Sequence, residues 1–171
     1  FRPIDRFNER WDELGRRPEW AFYGPQFPRF EALLASLYRL IGAHRQTKFI
    51  TAHVGCFPEN VGFVARMLDA HPNLYTDISA RIAELGRAPY SAREWFVKYS
   101  DRIVFGTDNT PRVAMYQTHF RFMETADEYF DYAPGAAIPP QGRWRIYGVH
   151  LPEDVLRHVY YENIERLVRF R

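Results

Sequence analysis

The sequence predicts an α/β protein in which a parallel sheet is covered by crossover helices. Three short segments rich in β-branched and apolar residues alternate with longer segments whose apolar residues recur at helical spacing. This βαβα order favours parallel strands, because a helix between two strands returns the chain to the start of the sheet. A length of 171 residues suits one domain with a real hydrophobic core.

The first elements are predicted from apolar spacing and from helix start and stop signals. Apolar side chains follow a helical stripe from Phe30 to about Arg45, and residues 48–53 form a short buried strand. Pro58 suits the first turn of a second helix. That helix stops near His71, since the residue before a proline is pushed out of the α region.

The remaining elements repeat this pattern. They are a strand at 73–78, a polar loop at 79–88, a helix at 90–99, a strand at 102–106, a helix from about 112 to 129, an irregular stretch at 131–151 and a helix from about 152 to 169. Three strands are too few for a closed barrel, which needs about eight. An isolated sheet of this size would leave two exposed edges. The pattern alone therefore leaves open a small open sheet or part of a larger one.

Composition and charge exclude several classes of protein. The net charge is +2, from 23 Lys and Arg against 21 Asp and Glu, without a separate basic run, so we expect no nucleic-acid partner. No apolar stretch is long enough to cross a bilayer and the charged N-terminus lacks an apolar core, so neither a membrane partner nor a signal peptide is expected. The single cysteine, Cys56, excludes an internal disulfide framework and suits the cytoplasm. Aromatic residues make up 17%, which fits a ligand pocket or an interface.

A titratable residue stands at the end of each predicted strand: His53, Asp77 and Asp108. Parallel strands bring their carboxyl ends to one edge of a sheet, where active sites of such folds are built. Imidazole and carboxylate groups are suitable ligands for zinc or a similar ion, although two ligands do not complete a site. The alternatives are a buried, hydrogen-bonded histidine at 53 and a helix N-cap at 108.

Several longer motifs resemble the amidohydrolase-related family of metal-dependent TIM-barrel hydrolases and decarboxylases. They are FITAHVG followed by FPENVGFVARMLDAHPNLYTDISARIAELGR, then DRIVFGTDNTP, with FRPIDRFNERWDELGRRPEW before them and LPEDVLRHVYYENIERLV after them. The resemblance covers nearly the whole chain. It implies that residues 1–171 form a single partial domain, the C-terminal part of a (β/α)8 barrel with about strands six to eight and their helices.

The resemblance also implies roles for the strand-end residues. His53 would end the sixth strand, Asp77 would belong to the seventh and Asp108 would end the eighth. Asp108 would bind a divalent metal, with zinc favoured, orient the hydrolytic water and accept its proton. His53 would be a metal ligand or would contact the polarised oxygen of the substrate. The implied reaction is hydrolysis of a C–N or C–O bond in a small carbonyl substrate by metal-activated water.

Two parts of the family's ligand pattern have no counterpart in this sequence. No two of the six histidines are separated by one residue, so the His-x-His pair of the first strand is missing. The histidine of the fifth strand would lie before the visible chain. We therefore expect the N-terminal strands outside this sequence and an isolated chain that is inactive.

Two other functions stay open. Arg81, in the loop after the second predicted strand, could hold a substrate carboxylate as in a non-oxidative decarboxylase of an aromatic or unsaturated acid; its alternative is an ion pair with Glu84. The chain could also be a non-catalytic fragment or interaction module. A homo-oligomer is compatible with a barrel exterior of helices. The other histidines are predicted at the surface or at helix ends: His44, His71, His119, His150 and His158.

Overall fold

A three-stranded parallel sheet forms the centre of the computed structural model, which describes residues 2–168. The strands are β1 (Phe49–Thr51), β2 (Leu74–Asp77) and β3 (Ile103–Val104), in the spatial order β1-β2-β3. Thr76 stands opposite Thr51 on one side and Ile103 on the other. The predicted α/β class and the parallel direction of the strands are confirmed, while the paired segments are shorter than the predicted strands.

Helices connect and cover the strands. The α-helical elements are α1 (Trp11–Arg16), α2 (Phe30–Ala43), α3 (Ala52–Gly55), α4 (Val61–Ala70), α5 (Ile82–Leu85), α6 (Pro89–Lys98), α7 (Val113–Glu124), α8 (Glu153–Arg157) and α9 (Asn163–Leu167). Short 3-10 turns lie at Pro18–Trp20, Pro58–Asn60 and Ser100–Arg102. A π-helical turn, His158–Glu162, joins α8 to α9. No helix between residues 2 and 168 is both long and apolar enough to cross a membrane.

The core lies between the sheet and the apolar faces of the longer helices. The helix α2 buries Leu34, Tyr38 and Ile41. The next two connecting helices bury Val64, Leu68, Ala92, Trp95 and Phe96. Burying an aliphatic or aromatic side chain of this size contributes about 1.5–3 kcal/mol. These helices therefore form because burial of one face adds to their weak intrinsic propensity.

The helix predicted from about 112 to 129 ends earlier, at Glu124. Thr125 adopts an extended backbone, and the residues after it bond to a later segment instead of continuing the helix. Phe130 and Ile146 exchange both backbone hydrogen bonds, at 2.9 and 3.0 Å. The amide of Gly148 donates to the carbonyl of Asp127 at 2.7 Å. The prediction of the helix end was wrong because this competing pairing is distant in sequence.

The C-terminal helix is predicted from about 152 to 169, and the structure has continuous helical elements over residues 153–167, while Arg169 lies outside the described residues. The π-helical turn leaves the carbonyl of Val159 directed at β3, where it accepts the amide of Phe105 at 2.9 Å. The last helix thus satisfies backbone groups beside β3.

His119 is buried, and the prediction that it lies at the surface or a helix end was wrong. It stands within α7, its Nδ1 lies 2.9 Å from the carbonyl of Met115, and its ring packs edge-on against Phe105. A polar residue within a helical stripe gives no signal of burial when an aromatic residue from another element covers it.

Candidate functional site

The three strands lead into loops that meet at one edge of the sheet, as predicted. β1 ends at Thr51, so His53 lies just beyond the strand, Asp77 is the last residue of β2, and Asp108 follows β3. His53 and Asp108 both have a left-handed backbone, with φ of 60° and 57°. Non-glycine residues in this conformation are uncommon and gather at functional sites, where the surrounding contacts hold them.

The loop after β1 makes an unusually tight turn. Val54 and Cys56 also have left-handed backbones, with φ of 56° and 59°, so α3 is an irregular turn and not a regular helix. A left-handed valine is rarer still, because its branched side chain crowds the backbone. Val54 is fully buried, which fixes the turn despite that cost. The turn directs the His53 side chain toward β2 and β3.

Asp77 holds the backbone around His53. Its Oδ1 atom accepts the amide N–H of His53 at 2.8 Å and the amide N–H of Ser79 at 2.9 Å. A carboxylate that accepts backbone N–H groups makes strong, charge-assisted hydrogen bonds. Asp77 therefore joins the loop after β1 to the loop after β2.

The tautomer of His53 follows from its neighbour. Its Nδ1 lies 2.7 Å from the carbonyl oxygen of Ser79, which can only accept a hydrogen bond. Nδ1 must therefore carry the proton, and in the neutral ring Nε2 keeps its lone pair. A histidine held in this way presents Nε2 as a metal ligand or a hydrogen-bond acceptor.

Asp108 lies opposite that lone pair. The Nε2 atom of His53 is 3.8 Å from Oδ2 of Asp108, and the two side chains are 26% and 61% exposed. The amide of Ala80 donates to the carbonyl of Thr107 at 3.2 Å, which ties the loops after β2 and β3 together. Asp108 is not a helix N-cap, because α7 begins only at Val113 with Arg112 before it.

A family model described as amidohydrolase matches residues 14–170. The chain belongs to the amidohydrolase family. Members of this family are typically enzymes and generally depend on metal. A search of curated proteins and a search of solved structures each found no match.

The donor atoms at this rim suit a divalent ion as part of a ligand set. An imidazole nitrogen and a carboxylate oxygen lie 3.8 Å apart, and both groups are suitable zinc ligands. Within residues 2–168, no group of three or more His, Cys, Asp or Glu side chains is close enough to hold a metal. His53 and Asp108 thus fit two positions of a site that needs at least one more ligand.

Arg81 lies in the loop after β2, as predicted, and is half-buried. One of its guanidinium nitrogens donates to the carbonyl of Ala80 at 2.8 Å. The alternative partner, Glu84, is buried and instead forms an ion pair with Arg10, which also bonds to Glu13 at 2.7 Å. Sequence reasoning missed Arg10 because 74 residues separate it from Glu84.

The irregular segment 131–151 supports the same loop from outside. The side chain of Gln141 donates to the carbonyl of Ala80 at 2.6 Å, and the indole of Trp144 donates to the carbonyl of Ala83 at 3.0 Å. The guanidinium of Arg143 pairs with Asp12 in α1. The bonds from Gln141 and Trp144 hold the loop that carries the Ser79 carbonyl, and no local motif in the sequence indicates them.

Cys56 lies at the rim but is poorly suited to act as a nucleophile. Partial burial of its sulfur raises the pKa of the thiol, and the positive charge of Arg81 offsets this effect only in part. A thiol with a raised pKa is less often present as the reactive thiolate at neutral pH. His53 and Asp108 are therefore the candidate functional residues of this rim.

Proposed function

We propose that His53 and Asp108 belong to the divalent-metal site of a hydrolase that cleaves a C–N or C–O bond in a small carbonyl substrate. The observation that supports this most directly is the His53 Nε2 lone pair, held toward the Asp108 carboxylate at 3.8 Å. The membership in the amidohydrolase family agrees with this chemistry. Zinc is the favoured ion because its ligands include imidazole and carboxylate.

Each residue has a defined role in the proposed reaction. A divalent ion supplies Lewis-acid chemistry, which polarises a carbonyl and acidifies water. Asp108 is a ligand and the base that accepts the proton of the attacking water, since its exposed carboxylate can be reached from solvent. His53 is a second ligand or the group that contacts the polarised substrate oxygen.

We propose further that β1, β2 and β3 are strands six to eight of a (β/α)8 barrel. The parallel order and the gathering of His53, Asp77 and Asp108 at one edge support this arrangement. The remaining metal ligands then come from strands that precede β1. The intact mass of the native polypeptide in its source cells tests this proposal. A mass of roughly twice 20.3 kDa is expected for a whole barrel with insertions, and a mass of 20.3 kDa contradicts it.

Turnover by the native enzyme and its Asp108→Asn variant tests the reaction. A panel of esters and amides of small carboxylic acids is assayed, with bound zinc measured by elemental analysis. Loss of the base is expected to lower turnover by about 10² to 10⁴. Asp69→Asn is the matched control, because Asp69 is exposed and pairs with Lys98 on the surface. An Asp108→Asn variant with near wild-type turnover would exclude the proposed role.

Measurement of carbon dioxide release from aromatic and unsaturated acids, beside the ester and amide assay, separates the two alternatives. Non-oxidative decarboxylation of an aromatic or unsaturated acid is favoured by Arg81, whose half-buried guanidinium lies in the loop beside the site and has donors suited to a carboxylate. Release of carbon dioxide without ester or amide cleavage, lost in Arg81→Met, supports that reaction. A non-catalytic interaction module predicts neither turnover nor stoichiometric metal.

A further inference from the structure

We propose that Asp77 is a positioning residue that sets the tautomer of His53, and that it is not itself a metal ligand. The importance of the tautomer for catalysis rests on the proposed function. The hydrogen bonds that fix the tautomer are independent of that function.

One oxygen of Asp77 controls both groups that hold the imidazole. Oδ1 accepts the amide of His53 at 2.8 Å and so fixes the left-handed backbone from which the ring projects. The same atom accepts the amide of Ser79 at 2.9 Å and so fixes the residue whose carbonyl receives Nδ1–H. The imidazole and its acceptor are therefore placed by one atom.

The arrangement opposes the intrinsic preference of the side chain. A free neutral histidine favours the tautomer with the proton on Nε2, which would remove the lone pair that faces Asp108. The 2.7 Å contact between Nδ1 and the Ser79 carbonyl reverses this preference. Without Asp77, a left-handed backbone at His53 and at the neighbouring Val54 has lost one of its supporting contacts, and the Ser79 carbonyl is free to turn away.

Two further contacts hold the loop after β2 independently of Asp77. The loop after β2 is also held by Gln141, which bonds to the Ala80 carbonyl at 2.6 Å, and by the Thr107 carbonyl at 3.2 Å from the Ala80 amide. Both contacts act at Ala80 and neither reaches His53. They are expected to keep the loop folded in an Asp77 variant while the His53 backbone is released.

The test is a measurement of the His53 tautomer in the full chain without metal. The ¹⁵N-labelled protein is treated with chelator and brought to mildly alkaline pH, and ring nitrogen shifts are read from long-range ¹H–¹⁵N spectra. His53→Gln identifies the resonances. We expect Nδ1–H in the wild type, a shift toward Nε2–H in Asp77→Ala, and no change in the matched control Asp69→Ala.

A second variant keeps the proposal testable if Asp77→Ala does not fold. Asp77→Asn retains an oxygen acceptor, and its amide oxygen is directed to the two backbone N–H groups because its NH₂ group would face donors. We therefore expect Asp77→Asn to keep Nδ1–H. A folded Asp77→Ala that retains Nδ1–H, or a folded Asp77→Asn that loses it, overturns the proposal.

A zinc titration of the same variants, made in the native polypeptide that carries the remaining ligands, separates positioning from ligation. Loss of a group that orients a ligand typically weakens metal binding by about 10- to 100-fold. We expect that loss in Asp77→Ala together with the tautomer shift. Weaker zinc binding without a tautomer shift would show that Asp77 is a ligand and would overturn the proposal. If the native polypeptide binds no zinc, the proposed function fails, while the metal-free tautomer result still decides the role of Asp77.

Discussion

The side-chain amide of Asn163 lies 2.6 Å from the carbonyl oxygen of Ile103, the first residue of β3. The same nitrogen also lies 2.6 Å from the carbonyl of Ser100. Asn163 is completely buried, so these backbone oxygens have their partner away from solvent. One side chain of the last helix therefore supplies the hydrogen-bond donor for backbone carbonyls at the start of β3 and just before it.

Replacement of this amide by an apolar group of similar size is expected to destabilise the fold. Asn163→Leu leaves buried carbonyl groups without that donor, which costs about 1–3 kcal/mol. Urea unfolding measures the change. The matched control is Gln117→Leu on the exposed face of α7, with an expected change within about 0.5 kcal/mol. Equal stability of both variants would contradict this role for Asn163.

Gly148 is required where the segment after residue 146 passes over the end of α7. A Cβ atom at this position would lie 2.1 Å from the backbone oxygen of Thr125, which cannot rotate away as a side chain can. We expect Gly148→Ala to destabilise the protein by about 1–3 kcal/mol, as in other overpacked sites. Thermal unfolding checks this value.

Gly15→Ala is the control for Gly148→Ala, because its new methyl group would meet nothing within 4 Å. Gly15 lies inside α1, where alanine is favoured over glycine by about 0.5–1 kcal/mol. This control is expected to be neutral or slightly stabilising. A Gly148→Ala variant as stable as Gly15→Ala would show that the backbone shifts freely.

The buried ion pair of Arg10 and Glu84 is expected to be asymmetric. The Glu84 side chain is 3% exposed, and burial raises the pKa of its carboxyl group while Arg10 counteracts this effect. Arg10→Ala leaves a buried carboxylate and is expected to cost up to about 3 kcal/mol, the lower end for broken buried pairs. A quarter of the Arg10 side chain is exposed, and the loss is smaller for that reason.

The pH dependence and a double variant test this interpretation. The cost of Arg10→Ala is expected to be larger at pH 7 than at pH 5, because an unpaired Glu84 becomes neutral by binding a proton. Arg10→Met with Glu84→Leu is expected to recover most of the stability. Arg17→Ala, which breaks an exposed pair with Glu19, is the control and should cost below about 1 kcal/mol. If the loss of stability in Arg10→Ala did not depend on pH, this interpretation would be contradicted.

His119 makes stability depend on pH in the opposite direction. Burial lowers the pKa of its imidazole below the value in the unfolded chain, and its Nε2 atom has no hydrogen-bond partner within the described residues. The unfolded state therefore binds a proton first as pH falls. The full free energy of unfolding is present above the unfolded pKa of about 6.5, and it decreases as pH falls toward the folded pKa.

Chemical unfolding between pH 7.5 and 5 measures this effect. The wild type is expected to lose more stability over this interval than His119→Leu, which has no proton to bind. His44→Leu, at an exposed position, should keep the wild-type slope. Equal slopes for the wild type and His119→Leu would exclude His119 as the cause.

The order of the main elements and the position of the strand-end residues at one edge of the sheet followed from the sequence by itself. Helical spacing from Phe30 and the apolar run before His53 are local patterns. Each depends on residues only a few positions apart in the sequence. A residue at the end of a parallel strand can be placed at the rim without knowledge of distant contacts. His53, Asp77 and Asp108 were therefore predictable as neighbours, and the motifs around them indicated the amidohydrolase family.

Only the tertiary structure decided how these residues are held. The proton position of His53 depends on a carbonyl 26 residues away, and the partner of Glu84 is 74 residues away. The end of α7 was decided by backbone pairing with a later segment. Such contacts follow no fixed spacing along the chain, because they form only after separate elements have packed and excluded water. Which residues lie at this rim is thus local information, while the geometry that holds them is a property of the folded chain.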